Sequence, residues 1–173
     1  KLKEGKAVLL GESHGVSSHE DLFIQYDQKA AEQGIRFSIA LESPRFLEKE
    51  ANDPKVSPEQ FVERLVQLQE QFRAPREGGS ITLFPNFHKK ILAIARKHNL
   101  PLIFMDPRSL IDPSIKDVDR RMAENLARGR KEYGTEGILG LVGSRHIVKR
   151  AIDPTIPHWL SQLSIPSEAV RIG

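Results

Sequence analysis

Four short apolar runs, each closed by a polar or turn-forming residue, constrain this chain more than any other feature. They are AVLL (residues 7–10, closed by Gly11), FSIAL (37–41), PLIFM (101–105) and GILGLVG (137–143), and EAVRI (168–172) is a fifth candidate. Runs of this length without alternation suit strands covered on both faces. The intervening stretches carry helical patterns. SSHEDLFIQYDQKAAEQG places Leu22, Phe23, Tyr26 and Ala30 on one face and ends at Gly34. Ser17 followed by Glu20 reads there as a capping box. Ser57-Pro58 opens a helix with Phe61, Leu65, Leu68 and Phe72 inward. Asn86 to His98 predicts another, with Phe87, Ile91 and Ile94 buried, and Ile115 to about Lys131 a charged amphipathic one. His158 to Leu163 adds a turn or two, after a break at Asp153-Pro154. Residues 46–57 read as polar and irregular, and Pro44 as the end of the second strand. The expected fold is α/β, a mostly parallel sheet of about four to five strands with helices on both faces.

That topology carries a consequence for chemistry. In a parallel sheet all carboxyl ends lie on one rim, where open α/β sheets bind their ligands. Glu12, Ser13 and His14 follow the first strand, Glu42 the second, Asp106 the third, and Arg145 and His146 the fourth. Each has a plainer reading beside the functional one. His14 and Glu12 could bond the backbone of the turn, and Glu20 could serve only its helix cap. His19 could be a solvated first-turn residue. Asp106 precedes Pro107, a common turn opener. Glu42 closes an apolar strand, where a carboxylate is costly unless it is used or paired. His88, His98 and His158 read as surface residues, and Trp159 as core or interface. Arg120 and Arg121 read by default as a solvated helix face.

Composition narrows the classes. The 173 residues suffice for one domain, 1–173, which reads as a piece of a longer protein. Lys and Arg number 26 against 23 Asp and Glu, and they are scattered, so a nucleic-acid partner is not favoured. The absence of Cys removes thiolate chemistry. No apolar run approaches the ~20 residues of a membrane span. These features fit a cytoplasmic protein or one secreted into a host cell. The sequence carries no signal for an oligomeric state.

Together, GESHG after the first strand, ALES ending the second, and Gly143-Ser144-Arg145-His146 after a late strand resemble the erythromycin esterase, ChaN-like, TIKI and TraB superfamily. DRRMAENLA is similar to that group's R-D-x-x-M-A helix, with one departure. The helix arginine would fall on Val118, with Asp119 as the following acid, whereas this chain has Arg120 and Arg121. In size the chain is nearer the compact members, including domains of bacterial toxins and effectors. The resemblance implies mixed activities: esterases with a water-activating histidine, metal-dependent proteases and haem binders.

The leading expectation is a hydrolase acting on a small molecule or peptide. His14 or His146 is its general base, Glu42 or Glu12 orients that histidine, and Arg145 or Arg121 stabilises an oxyanion, with Glu20 nearby. A divalent metal ion held by His14, Glu42 and His146, with Glu12 as base or fourth ligand, is the metal-assisted form. A Ser13–Asp106–His146 triad is a rival, because GESHG also matches G-x-S-x-G. A non-catalytic domain binding haem, a metal or an anion is another. Arg45 and the loop with Arg73 and Arg76 hint at a polar or acidic ligand.

Overall fold

A computed structural model describes residues 1–13, 16–71, 84–108, 116–148 and 154–172. His14, Phe72, the loop with Arg73 and Arg76, the Asp112-Pro113 turn, Ile115 and Asp153 therefore lie outside the described residues. Five strands, β1 (Ala7–Glu12), β2 (Phe37–Pro44), β3 (Leu102–Asp106), β4 (Gly137–Gly143) and β5 (Ser167–Arg171), form one parallel sheet in the order β3-β2-β4-β1-β5. The helices are α1 (Ser17–Glu32), α2 (Glu48–Asn52), α3 (Pro58–Gln71), α4 (Pro85–Lys97), α5 (Val118–Tyr133) and α6 (Ile156–Gln162).

The strand order explains the layering. From β1 to β2 to β3 the chain moves one way across the sheet, and from β3 to β4 to β5 it moves back. Crossovers of uniform hand must then change face when the direction reverses. On the first face, Leu10, Ile39, Leu41, Phe104 and Leu139 pack with Phe23 of α1, Phe61 of α3 and Ile91 of α4. On the second, Leu9, Ala40, Ile103 and Val142 pack with Met122 and Leu126 of α5 and Leu160 of α6. Neighbouring strands thus exit to opposite faces along the rim, which opens crevices at the carboxyl ends of the sheet.

Several local expectations change. The N-cap of α1 is Val16, with no side-chain cap bond, so the Ser17–Glu20 capping box does not form. The reciprocal box forms at α3 instead: the Gln60 N–H donates to Ser57 Oγ (3.1 Å) and the Ser57 N–H to Gln60 Oε1 (2.8 Å). Residues 45–52 are ordered as a 3-10 turn followed by α2. They serve a buried charge. Glu48 accepts from the Phe104 N–H (2.7 Å), from Tyr133 OH (2.8 Å) and from Arg128 Nη2 on both oxygens (2.8 Å each). Burial, then Glu48, raises the Tyr133 phenol well above its ordinary value. Pro44 is the last residue of β2, as its place in the sequence suggests. It pairs with Asp106 beyond a register shift between Leu41 and Pro44, at the strand's end, where a missing N–H is tolerated.

Candidate functional site

The site grows from that register shift. Strand alternation places Glu42 on the second face with Ala40, and Glu12 on the first face with Leu10. An irregularity that re-aims a side chain is common beside functional sites. Here it lies next to Glu42, whose side chain is 8% exposed. Its Oε2 accepts the Gly143 N–H at 2.7 Å. Its Oε1 lies 3.4 Å from His146 Nε2 and 3.6 Å from Arg108 Nη2. The carboxylate at the end of β2 thus spans the ends of β3 and β4.

His146 comes from the 3-10 turn Ser144–His146 that follows β4. The turn sits tightly over Gly11. A Cβ there would stand 2.3 Å from Ile147 Cδ1 and 3.1 Å from the Ser144 backbone, so the first glycine of GESHG is a packing requirement of the fourth strand's turn. His146 is 4% exposed. Its Nδ1 bonds Asp119 Oδ1, in the first turn of α5, and its Nε2 faces Glu42. Burial opposes a charge on this ring. The hydrogen bonds to Asp119 and Glu42, and the negative charge of both, outweigh burial and raise it to about 9. Arg145 Nε lies 3.0 Å from the same Nε2 and can donate to it only when that nitrogen carries no proton. Nε2 therefore has a partner for each protonation state, Glu42 when protonated and Arg145 when not.

Asp106 is fully engaged elsewhere. Arg108 Nε donates to both its oxygens at 2.9 Å, Nη2 to Oδ2 at 2.7 Å, and the Arg108 backbone N–H to Oδ1 at 2.9 Å. The Asp106 carboxylate and Glu42 raise the guanidinium's affinity for its proton against the opposing burial. Since Asp119, not Asp106, holds His146, the Ser13–Asp106–His146 triad is not assembled. Ser13 is exposed, and its N–H donates to His19 Nδ1 at 3.3 Å.

The remaining expected residues divide between two places. Glu12 is buried at the end of β1 on the α1 side, and Glu20 is half-buried near it. Burial raises the Glu20 carboxyl, as do the charges of Glu12 and Asp21, against Lys90. Glu12 and Glu20 form an acidic pair on the first face, while Glu42, Arg145 and His146 gather on the second. Arg121 does not join them. It is exposed on α5, two residues and about 200° of helix rotation beyond Asp119. Asp119 and Arg108 are the groups that sequence reasoning missed as site residues. The signal for Asp119 was its place in the helix motif, whereas Arg108 had only its position two residues after Asp106.

His88 was expected at the surface and is buried, 3% exposed. It bonds the Phe84 carbonyl oxygen through Nδ1 (2.8 Å) and pairs with Ser43 Oγ through Nε2 (2.7 Å). Burial lowers it to about 4 despite the Phe84 bond, so the ring is neutral and Ser43 donates to it. This pair anchors the residue beside Glu42. His158 is exposed, and the ring of half-buried Trp159 lies under Arg120, 5.5 Å from guanidinium carbon to ring centroid.

No family model matches the chain, and no curated protein matches it. Two solved structures share its fold. The type III effector HopBA1 superposes with a TM-score of 0.63 at 12% identity, over 97% of this chain and 77% of that one. ChaN of Campylobacter jejuni, which binds haem cofacially, superposes with a TM-score of 0.50 at 19% identity, over 96% and 81%. Identities this low speak to architecture only. The chain has a ChaN- and effector-like α/β fold, with a histidine–carboxylate cluster on the rim of its sheet.

Proposed function

We propose that the rim is an acid–base centre of hydrolytic type. The observation that carries this reading is one imidazole held at both nitrogens by carboxylates from different elements, Asp119 and Glu42. A ring raised to about 9 holds its proton at neutral pH, so His146 acts as the acid that protonates a leaving group, not as the initial base. Glu42 is the carboxylate placed to take a proton from water. Exposed Arg145, beside the ring, is the cation available to a developing oxyanion. The substrate class follows the sequence expectation, a small-molecule or peptide ester or amide.

His146 and Glu42 by themselves, as they stand, hold neither cofactor expected from the sequence; His14, the third expected metal ligand, lies outside the described residues. A haem iron takes a free axial ligand facing a mostly apolar slot. Here both His146 nitrogens are engaged and their neighbours are charged. A divalent ion on His146 and Glu42 would have to displace the contact between them, and no group of three ligating side chains suited to a metal stands among the described residues. The acid–base roles above use neither.

The test is turnover of an ester and peptide panel by the wild type, His146→Gln and Glu42→Gln, with and without chelator. The proposal expects activity abolished in both variants and unchanged by chelation. Turnover that survives His146→Gln refutes it. The likeness to haem-binding ChaN favours a second reading, a non-catalytic binding domain, and the effector neighbour fits delivery into a host cell. Absence of turnover across the panel, with saturable haem binding by spectroscopic titration, selects that reading.

A further inference from the structure

The crossovers that cover most of the sheet leave one part of it bare. β1 lies between β4 and β5, yet its two faces differ. Ala7 and Leu9 on the second face are fully buried, while Val8 on the first is only half-buried. The reason is topological: α1 leaves β1 toward β2, away from β5, and α3 and α4 lie farther the same way. A groove of about 850 Å³ remains between α1 and β5. Val8, Leu10 and Leu139 form its floor, Leu22 stands on the helix side, and Val170 and Ile172 on the strand side. Val170 is 48% exposed. The volume lies within the range of small-molecule sites.

The border of the groove is cationic. Lys3 and Lys29 line it at the amino ends of the strands and Arg171 at the carboxyl end, all exposed and without a carboxylate partner among the described residues. Other cations nearby are matched: Lys1 bonds Glu168, and Lys6 lies 3.0 Å from Glu4. An apolar floor asks for hydrocarbon, and unmatched cations at its edge ask for an anion. The lining is aliphatic, which suits a flexible alkyl chain better than a flat ring.

We propose that this groove binds a free long-chain fatty acid, its tail along β1 and its carboxylate at Lys3 and Lys29. The site is separate from the histidine–carboxylate rim and does not depend on its chemistry. The test uses the whole chain and a fluorescent fatty acid, parinarate, displaced by palmitate. The expected result is saturable binding in which palmitate competes and hexanoate and hexadecanol compete at least about tenfold less well. Reversing the two cations together, Lys3→Glu and Lys29→Glu, weakens binding by about tenfold or more. Val170→Trp, an exposed position that leaves the core intact, blocks the groove and abolishes binding, while His146→Gln leaves it unchanged. Competition by hexadecanol equal to palmitate, displacement by haem but not palmitate, or binding that survives both Val170→Trp and the charge reversal overturns the proposal.

Discussion

The proton held by His146 should be visible as stability. An ordinary histidine loses its proton near 6.5, and in the folded chain His146 keeps it to about 9. Between those values the folded state holds a proton that the unfolded state has released. Stability is therefore fully present below pH 6.5 and falls as pH rises toward 9. That separation is worth about 3 kcal/mol at full effect. Urea unfolding of wild type and His146→Gln from pH 6 to 10 isolates the contribution, because other titrating groups are common to both. The wild type should lose about 3 kcal/mol more than the variant across that range. Asp119→Asn should shrink the difference and move the ring's NMR titration downward, since it removes the charge at Nδ1. Parallel stability curves for wild type and His146→Gln, or a ring titrating at or below 6.5, would refute both the clamped imidazolium and its role as an acid.

His88 should act in the opposite sense. Its ring, lowered to about 4, stays neutral in the fold while the unfolded state takes up a proton below 6.5, so its stability is lost as pH falls from 6.5 toward 4. His88→Gln should flatten that acid limb in the same urea series. Gly11→Ala should cost about 1–3 kcal/mol by forcing a methyl group against Ile147 and Ser144. In a double-mutant cycle Ile147→Ala should recover part of that cost, and full additivity of the two would show that they do not meet.

The legible and illegible parts of this chain separate on physical grounds. Strands were legible because burial on both faces demands continuous apolar runs, and Leu9, Ile39, Ile103 and Val142 answer that demand. Rim residues were legible only through topology, which put Glu42 and His146 at neighbouring strand ends without saying which face each would use. Alternation over so few residues cannot foretell a register shift, and the shift past Leu41 lies beside Glu42. Polar residues that are buried with partners were misread as surface. His88 looked like a helix face because its partners, Ser43 and the Phe84 carbonyl, are not encoded in helical periodicity. Glu48 sat in a stretch that read as irregular, because the charges that justify its burial, Arg128 above all, lie eighty residues away.

The same logic explains why Asp119, rather than either neighbouring arginine, reaches the rim. The α5 helix packs Met122, Ala123 and Leu126 on the second face of the sheet. Asp119 precedes Met122 by three positions and so lies on the same stripe, one turn nearer the strand ends. Arg120 is carried outward toward Glu124 and Trp159, and Arg121 to an exposed position. A carboxylate in the first turn is also favoured by the helix dipole, so the position suits an acid independently of His146. The core-facing stripe of α5 thus selects a carboxylate partner for the imidazole. That choice is what keeps His146 protonated at neutral pH: an arginine at position 119 would lower the ring's affinity for its proton.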